Sequence, residues 1–148
     1  MERIAEEFGI TPLLSLRPAQ VSGGGQKLVA YARAAILQPR LLYLDEPTSF
    51  LDSRAVDQLK SDLRRRIRSG CTVVAVTHDA ELAALVADNL VVLDQGRILR
   101  QGPTAEVIRS PDQRVREILE EILREAAVFD HDILALLRQD AAVEETAD

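Results

Sequence analysis

The chain has 148 residues, 47% hydrophobic and 3% aromatic, with 18 Lys and Arg against 24 Asp and Glu and a formal charge of −6. This is the composition of an acidic globular domain, long enough to bury roughly 70% of the surface that the unfolded chain exposes. It argues against general nucleic-acid binding, which needs clustered positive charge, and against membrane insertion or export, because no apolar run reaches about 18 residues and MERIAEEFGI lacks a basic start and an apolar core.

The opening MERIAEEF is expected to be a short helix, and Gly9, Pro12 and Pro18 punctuate the connection after it. From Ser22 a helix is predicted through Gln38. Leu28, Val29, Ala32, Ala35 and Ile36 recur at spacings of three and four, and Pro39 ends the run. Leu41 to Leu44 is a continuous apolar strand of the kind expected between two helical layers. A helix from Ser53 to Ser69 follows, with Ser53 as N-cap and Gly70 as stop, and then a β-branched strand over Thr72 to Val76. Arg64, Arg65, Arg66 and Arg68 point around that helix in several directions, as a solvated face would.

A helix over Asp79 to Ala87 leads to strands at Leu90 to Leu93 and Arg97 to Arg100, joined by Asp94-Gln95-Gly96 as a hairpin. Strand, helix, strand, helix, strand implies an α/β layer with central parallel strands and an antiparallel edge hairpin. Beyond Gly102-Pro103 the chain reads as helix. Val115, Ile118, Leu119, Ile122, Leu123 and Ala126 form an apolar stripe opposite Glu117, Glu120, Glu121 and Arg124. Residues 101 to 148 carry 5 basic and 12 acidic side chains, so the stripe is expected to dock on the chain's own sheet or on a twin subunit rather than on a membrane. The last residues, AAVEETAD, are expected to fray, and Cys71 and His131, without partners in the sequence, read as structural. A single cysteine also suits a reducing compartment.

Four constellations carry chemistry. Ser22-Gly23-Gly24-Gly25-Gln26 opens a helix, where bare backbone N–H groups, the helix dipole and a hydroxyl suit a phosphate, or make a loop with no ligand. Asp45 and Glu46 follow a buried strand at its carboxyl end, the edge where open α/β sheets bind ligands. One carboxylate there can hold Mg²⁺ and its neighbour can activate a water, although adjacent acids also cap helices. Thr77-His78-Asp79 follows the second strand toward the same edge, and Ser49-Phe50-Leu51-Asp52 links the acid pair to the next helix.

VSGGGQKLVAYARAAILQPRLLYLDEPTSFLD followed by VVAVTHD resembles the ATP-binding subunit of ABC transporters from about Val21 to Pro111. The resemblance implies a partial P-loop NTPase-like α/β core over residues 1–111, with a helical acidic tail over 112–148. It also implies roles: Ser22, Gly23, Gly24 and Gln26 in a signature loop facing ATP, Asp45 on Mg²⁺, Glu46 as general base, Asp52 in the D-loop and His78 as the switch histidine. The partners implied are a membrane permease and a second ATP-binding subunit, identical or different, at the cytoplasmic face of the membrane.

The sequence departs from that pattern in several places. Gly25 stands where the family usually has glutamine, Leu28 where arginine is common, and Phe50 where a small residue is usual. No GxxxxGK followed by Ser or Thr occurs in the chain, nor the aromatic that stacks on adenine, nor the Q-loop glutamine, so the sequence starts inside what the family calls its helical subdomain. The P-loop amides and lysine are the main grip on the β- and γ-phosphates. The leading expectation is a truncated or split transporter ATPase that neither binds ATP tightly nor hydrolyses it alone. A non-catalytic regulatory subunit and a soluble relative without a transporter are the alternatives.

Overall fold

The computed structural model describes residues 2–127. The chain divides into two compact units, Met1–Thr77 and His78–Asp148.

In the first unit, helix α1 (Glu2–Glu7) leads through two short 3-10 turns, Thr11–Ser15 and Pro18–Gln20, into helix α2 (Gly23–Ala35). The Ser22 hydroxyl accepts the Gly25 N–H at 3.2 Å and so caps α2. The helix stops at Ala35, three residues before the expected end. Gln38, at φ 47°, turns the chain into Pro39 and cannot continue a right-handed helix.

Strand β1 (Leu41–Asp45), helix α3 (Ser53–Arg68) and strand β2 (Thr72–Val76) form a βαβ unit in which β1 and β2 pair in parallel, Leu42 opposite Val73 and Asp45 opposite Val76. The cap of α3 is Asp52, not the expected Ser53: its Oδ1 accepts the Ala55 N–H at 2.8 Å, which an acid one residue earlier reaches from an extended backbone. Gly70, at φ 87°, ends the helix as expected.

The buried apolar side chains of this unit come from α1 (Ile4, Ala5), the turn after it (Phe8, Ile10), α2 (Leu28, Tyr31, Ala32, Ala35), β1 (Leu42, Leu44) and α3 (Ala55, Leu59, Leu63). Among the described residues strand β1 is therefore covered on one face, a correction to the expected two. Leu42 and Leu44 are buried, whereas Leu41 and Tyr43 on the opposite face are 59% and 68% exposed, because alternate side chains of a strand point to opposite faces.

The arginine cluster is also more than a solvated face. Asp62, with no exposed side-chain surface, receives the Tyr31 hydroxyl at 2.5 Å, Arg66 Nε at 2.6 Å and Arg65 Nη2. Arg66 Nη1 reaches the Ala35 carbonyl at 2.8 Å, and Arg65 pairs with Glu7 at 2.8 Å. The Asp62 carboxylate ties α3 to α2, and Arg65 carries the network on to α1 through Glu7.

In the second unit, Asp79 caps helix α4 (Ala80–Val86) by accepting the Leu82 N–H at 2.9 Å. Strands β3 (Asn89–Asp94) and β4 (Arg97–Pro103) form an antiparallel hairpin that is a sheet of its own. Gln95 and Gly96 both have positive φ, as a two-residue turn matching strand twist requires. Helices α5 (Thr104–Ile108) and α6 (Gln113–Ala127) follow. The first part of the expected apolar stripe docks on the hairpin: Val115 is buried together with Val107 and Val92, and Ile118 and Leu119 pack against them with Leu90 and Leu99. Asp112 starts α6 by accepting the Arg114 and Val115 N–H groups at 2.8 and 3.1 Å. His131 and the terminal AAVEETAD lie outside the described residues.

Candidate functional site

The α2 N-terminus and the loop after β1 are built against each other. A Cβ on Gly24 would lie 2.4 Å from the Phe50 carbonyl oxygen, so only glycine allows the helix to approach the loop this closely. The N–H groups of Gly23 and Gly24 are first-turn donors with no acceptor inside the helix. The Ser22 oxygen is occupied as a cap, yet its O–H remains a donor. These groups fit an anion, and the helix dipole adds to the fit. The Gln26 carboxamide donates to the Pro18 and Val21 carbonyls, both at 3.0 Å, which holds the turn ahead of the helix rather than pointing its N–H₂ group outward.

Asp45 ends β1 and is exposed. Glu46 takes up the next position with its N–H on the Val76 carbonyl at 2.8 Å, extending the ladder by one bond, and then turns to φ 45°. Phe50 is the second non-glycine residue of this loop at positive φ, 65°. Each such residue costs of order 1–3 kcal/mol and persists only where its surroundings over-determine it. Here the Glu46 carbonyl accepts the Ser49 N–H at 3.3 Å, Ser49 Oγ lies 3.5 Å from Glu46 Oε2, and Leu51 N–H reaches the Thr48 carbonyl at 3.2 Å. Asp52 closes the loop as the α3 cap.

Sequence reasoning passed over Lys27. Its ammonium donates to the Glu46 carbonyl and stands 5.8 Å from the centre of the Phe50 ring. The available signal was its spacing, three residues or about one helical turn beyond Gly24.

Of the expected site residues, Ser22, Gly23, Gly24, Gln26, Asp45, Glu46 and Asp52 all belong to the first unit, whereas His78, exposed, is the first residue of the second. No group of three or more His, Cys, Asp or Glu arranged to hold a metal occurs among the described residues. A Mg²⁺ on Asp45 would complete its shell with water and phosphate oxygens, as that ion commonly does.

A family model described as ABC transporter matches residues 1–49. The glutamine transport ATP-binding protein GlnQ of Geobacillus stearothermophilus is 37% identical over 119 residues, 80% of this chain and 49% of that protein. The L-cystine import ATP-binding protein TcyC of Bacillus subtilis is 36% identical over 122 residues, 82% of this chain and 49% of that one. The chain belongs to the ABC transporter ATP-binding family. Among solved structures, the ATP-binding cassette MJ0796, a dimer in a post-hydrolysis state bound to ADP and Pi, superposes with a TM-score of 0.62 at 29% identity, covering 69% of this chain and 44% of that one. The α/β architecture is thus that of ABC ATPase domains. The chain spans about half the length of these two curated relatives. Among the described residues no helix is long and apolar enough to cross a membrane.

Proposed function

We propose that these residues form the signature-loop and acid-pair part of an ATP-binding subunit that works with a membrane permease at the cytoplasmic face, with the P-loop supplied by a partner. Relatives are named as transport or import ATP-binding proteins, which favours an importer. The observation that carries the reading is the packing of the glycine turn against the acidic loop, Gly24 on the Phe50 carbonyl, which joins an anion-seeking helix start to two carboxylates within one unit.

In this reading the family's dimeric arrangement is shared. Ser22, Gly23 and Gly24 donate to a phosphate held by a second ATP-binding subunit, and Gln26 and Asp52 shape the turns on either side. Asp45 contributes a carboxylate to Mg²⁺, which neutralises phosphate charge when bound. Glu46 accepts a proton from the attacking water, and His78 donates to the γ-phosphate. The domain proper would extend over residues 1–111, with 112–148 as the tail.

Calorimetric titration tests the division of labour. The isolated chain should show no micromolar affinity for Mg-ATP, because it lacks the lysine and amide cradle that holds the β- and γ-phosphates. Combined with a P-loop-bearing partner, turnover should appear and Glu46→Gln should abolish it. ATP hydrolysis by the purified chain alone, or unchanged turnover in the Glu46→Gln complex, would overturn the reading.

A further inference from the structure

We infer that Lys27 is a positioning residue for Glu46: a clip from helix α2 that holds the acidic loop through the Glu46 carbonyl and the Phe50 ring at once. The inference rests on the proposed function for its catalytic consequence, though its structural half stands without it.

Three contacts converge. The Lys27 ammonium donates to the Glu46 carbonyl. The same ammonium lies 5.8 Å from the centre of the Phe50 ring, within the range of a cation–π contact. The backbone at Phe50 in turn bears on Gly24, one helical turn before Lys27. The two residues that Lys27 touches are the two non-glycine residues of the loop at positive φ, Glu46 at 45° and Phe50 at 65°. A strained backbone relaxes toward the β or right-handed region unless something holds it.

The bonds inside the loop, Ser49 to Glu46 and Leu51 to Thr48, join residues that can move together. Lys27 belongs to a helix anchored elsewhere, its Tyr31 bonded to Asp62 on α3, so it ties the loop to a fixed body. Rotation of Glu46 out of the left-handed region would swing its Cα–Cβ direction and re-aim the carboxylate. The clip therefore sets where the general base points, and Phe50, bulky where the family usually has a small residue, supplies the ring face that the cation needs.

Amide hydrogen exchange on the full chain separates the two halves of the inference. In Lys27→Met, which keeps the stem and removes the charge, the Ser49 and Leu51 amides should exchange at least tenfold faster while Leu44 and Val74 are unchanged, and Lys27→Arg should restore most of the protection. Phe50→Leu should loosen the same amides by a smaller factor. With the P-loop-bearing partner, Lys27→Met should lower kcat about tenfold at unchanged KM for ATP.

Unchanged Ser49 exchange in a folded Lys27→Met chain overturns the clip; if that variant does not fold, unchanged Ser49 exchange in Phe50→Leu overturns it instead. Loosened amides with undiminished kcat overturn the positioning role. Should Glu46→Gln itself leave turnover intact while Lys27→Met loosens the loop, the clip stands and the assignment of Glu46 as base falls.

Discussion

Gly25 shows how a single residue is matched to its neighbours. The family usually carries glutamine at this position, yet here a Cβ would lie 2.7 Å from Val21 Cγ1 and 3.1 Å from Leu13 Cδ1. Val21 is β-branched and stiff about χ1, so its methyl does not swing aside freely. Replacing a glycine inside a helix ordinarily gains up to about 1 kcal/mol. In Gly25→Gln that gain should be cancelled by crowding, and the coupling with Val21→Ala in a double-mutant cycle should be about 1 kcal/mol in the direction of relief. Urea denaturation of the four chains measures it, and strict additivity would show that the space at position 25 is open. The departure from the family pattern is thus compensated locally by the valine that starts the motif.

At the scale of elements, the carboxylate of Asp62 binds α2 and α3 together and, through Arg65 and Glu7, reaches α1. Burial by itself would raise the Asp62 pKa. The Tyr31 hydroxyl, the Arg66 hydrogen bond and the charges of Arg66 and Arg65 outweigh it and hold the carboxyl below its ordinary range. Its contribution to stability is then complete above the ordinary carboxylate pKa of about 4 and is lost as the pH falls through and below that value. Tyr31 shifts upward, by burial first and then by its bond and proximity to Asp62. Its contribution is complete below the ordinary tyrosine value of about 10 and is lost as the pH climbs beyond it.

Tyr31→Phe keeps the ring edge-on to Phe8, with centroids 5.4 Å apart, and removes only the hydroxyl. It should cost about 1–3 kcal/mol at neutral pH, shrink the acid limb and abolish Tyr31's share of the alkaline loss. Melting temperatures from pH 2.5 to 11 decide the matter, and an alkaline limb identical in the variant would sink the assignment.

None of this network was legible in the sequence, where nothing marked Asp62 as buried and the arginines read as a solvated face. Periodicity finds which side of a helix is apolar, but a buried carboxylate is recognised only when its partners on other helices arrive. The elements themselves were legible, because α2, β1, α3, β2 and the hairpin each carry a local pattern with Pro, Gly or Asp at the ends. For the same reason Ser22, Asp45 and Glu46 stood out by residue type and position, whereas Lys27 is joined to Glu46 by tertiary contact across 19 residues. The Asp52 cap was missed by one position because Asp and Ser are about equally good caps and occur side by side.

For the whole molecule, the decisive feature is the sheet face that the described residues leave uncovered. Leu41, Tyr43, Val74 and Val76 share one side of the β1–β2 pair and are between 41% and 68% exposed. A strand read as fully buried from its composition is buried on one side only, and the pair hydrogen-bonds no third strand among the described residues. Exposed apolar faces and unpaired strand edges both promote association. Covering Tyr43 alone is worth on the order of 1.5–3 kcal/mol, about tenfold or more in an association constant.

The isolated chain should therefore self-associate with rising concentration, and Tyr43→Lys with Val74→Thr should move the transition to at least tenfold higher concentration without altering the Leu42 and Leu44 side. A P-loop-bearing partner that occupies this face should suppress self-association of the unmodified chain and bind the double variant more weakly. Sedimentation velocity over a concentration series reads all three. A strictly monomeric chain, or a double variant indistinguishable from the parent, would mean that the outward apolar side chains of β1 and β2 are not what this molecule uses to meet another.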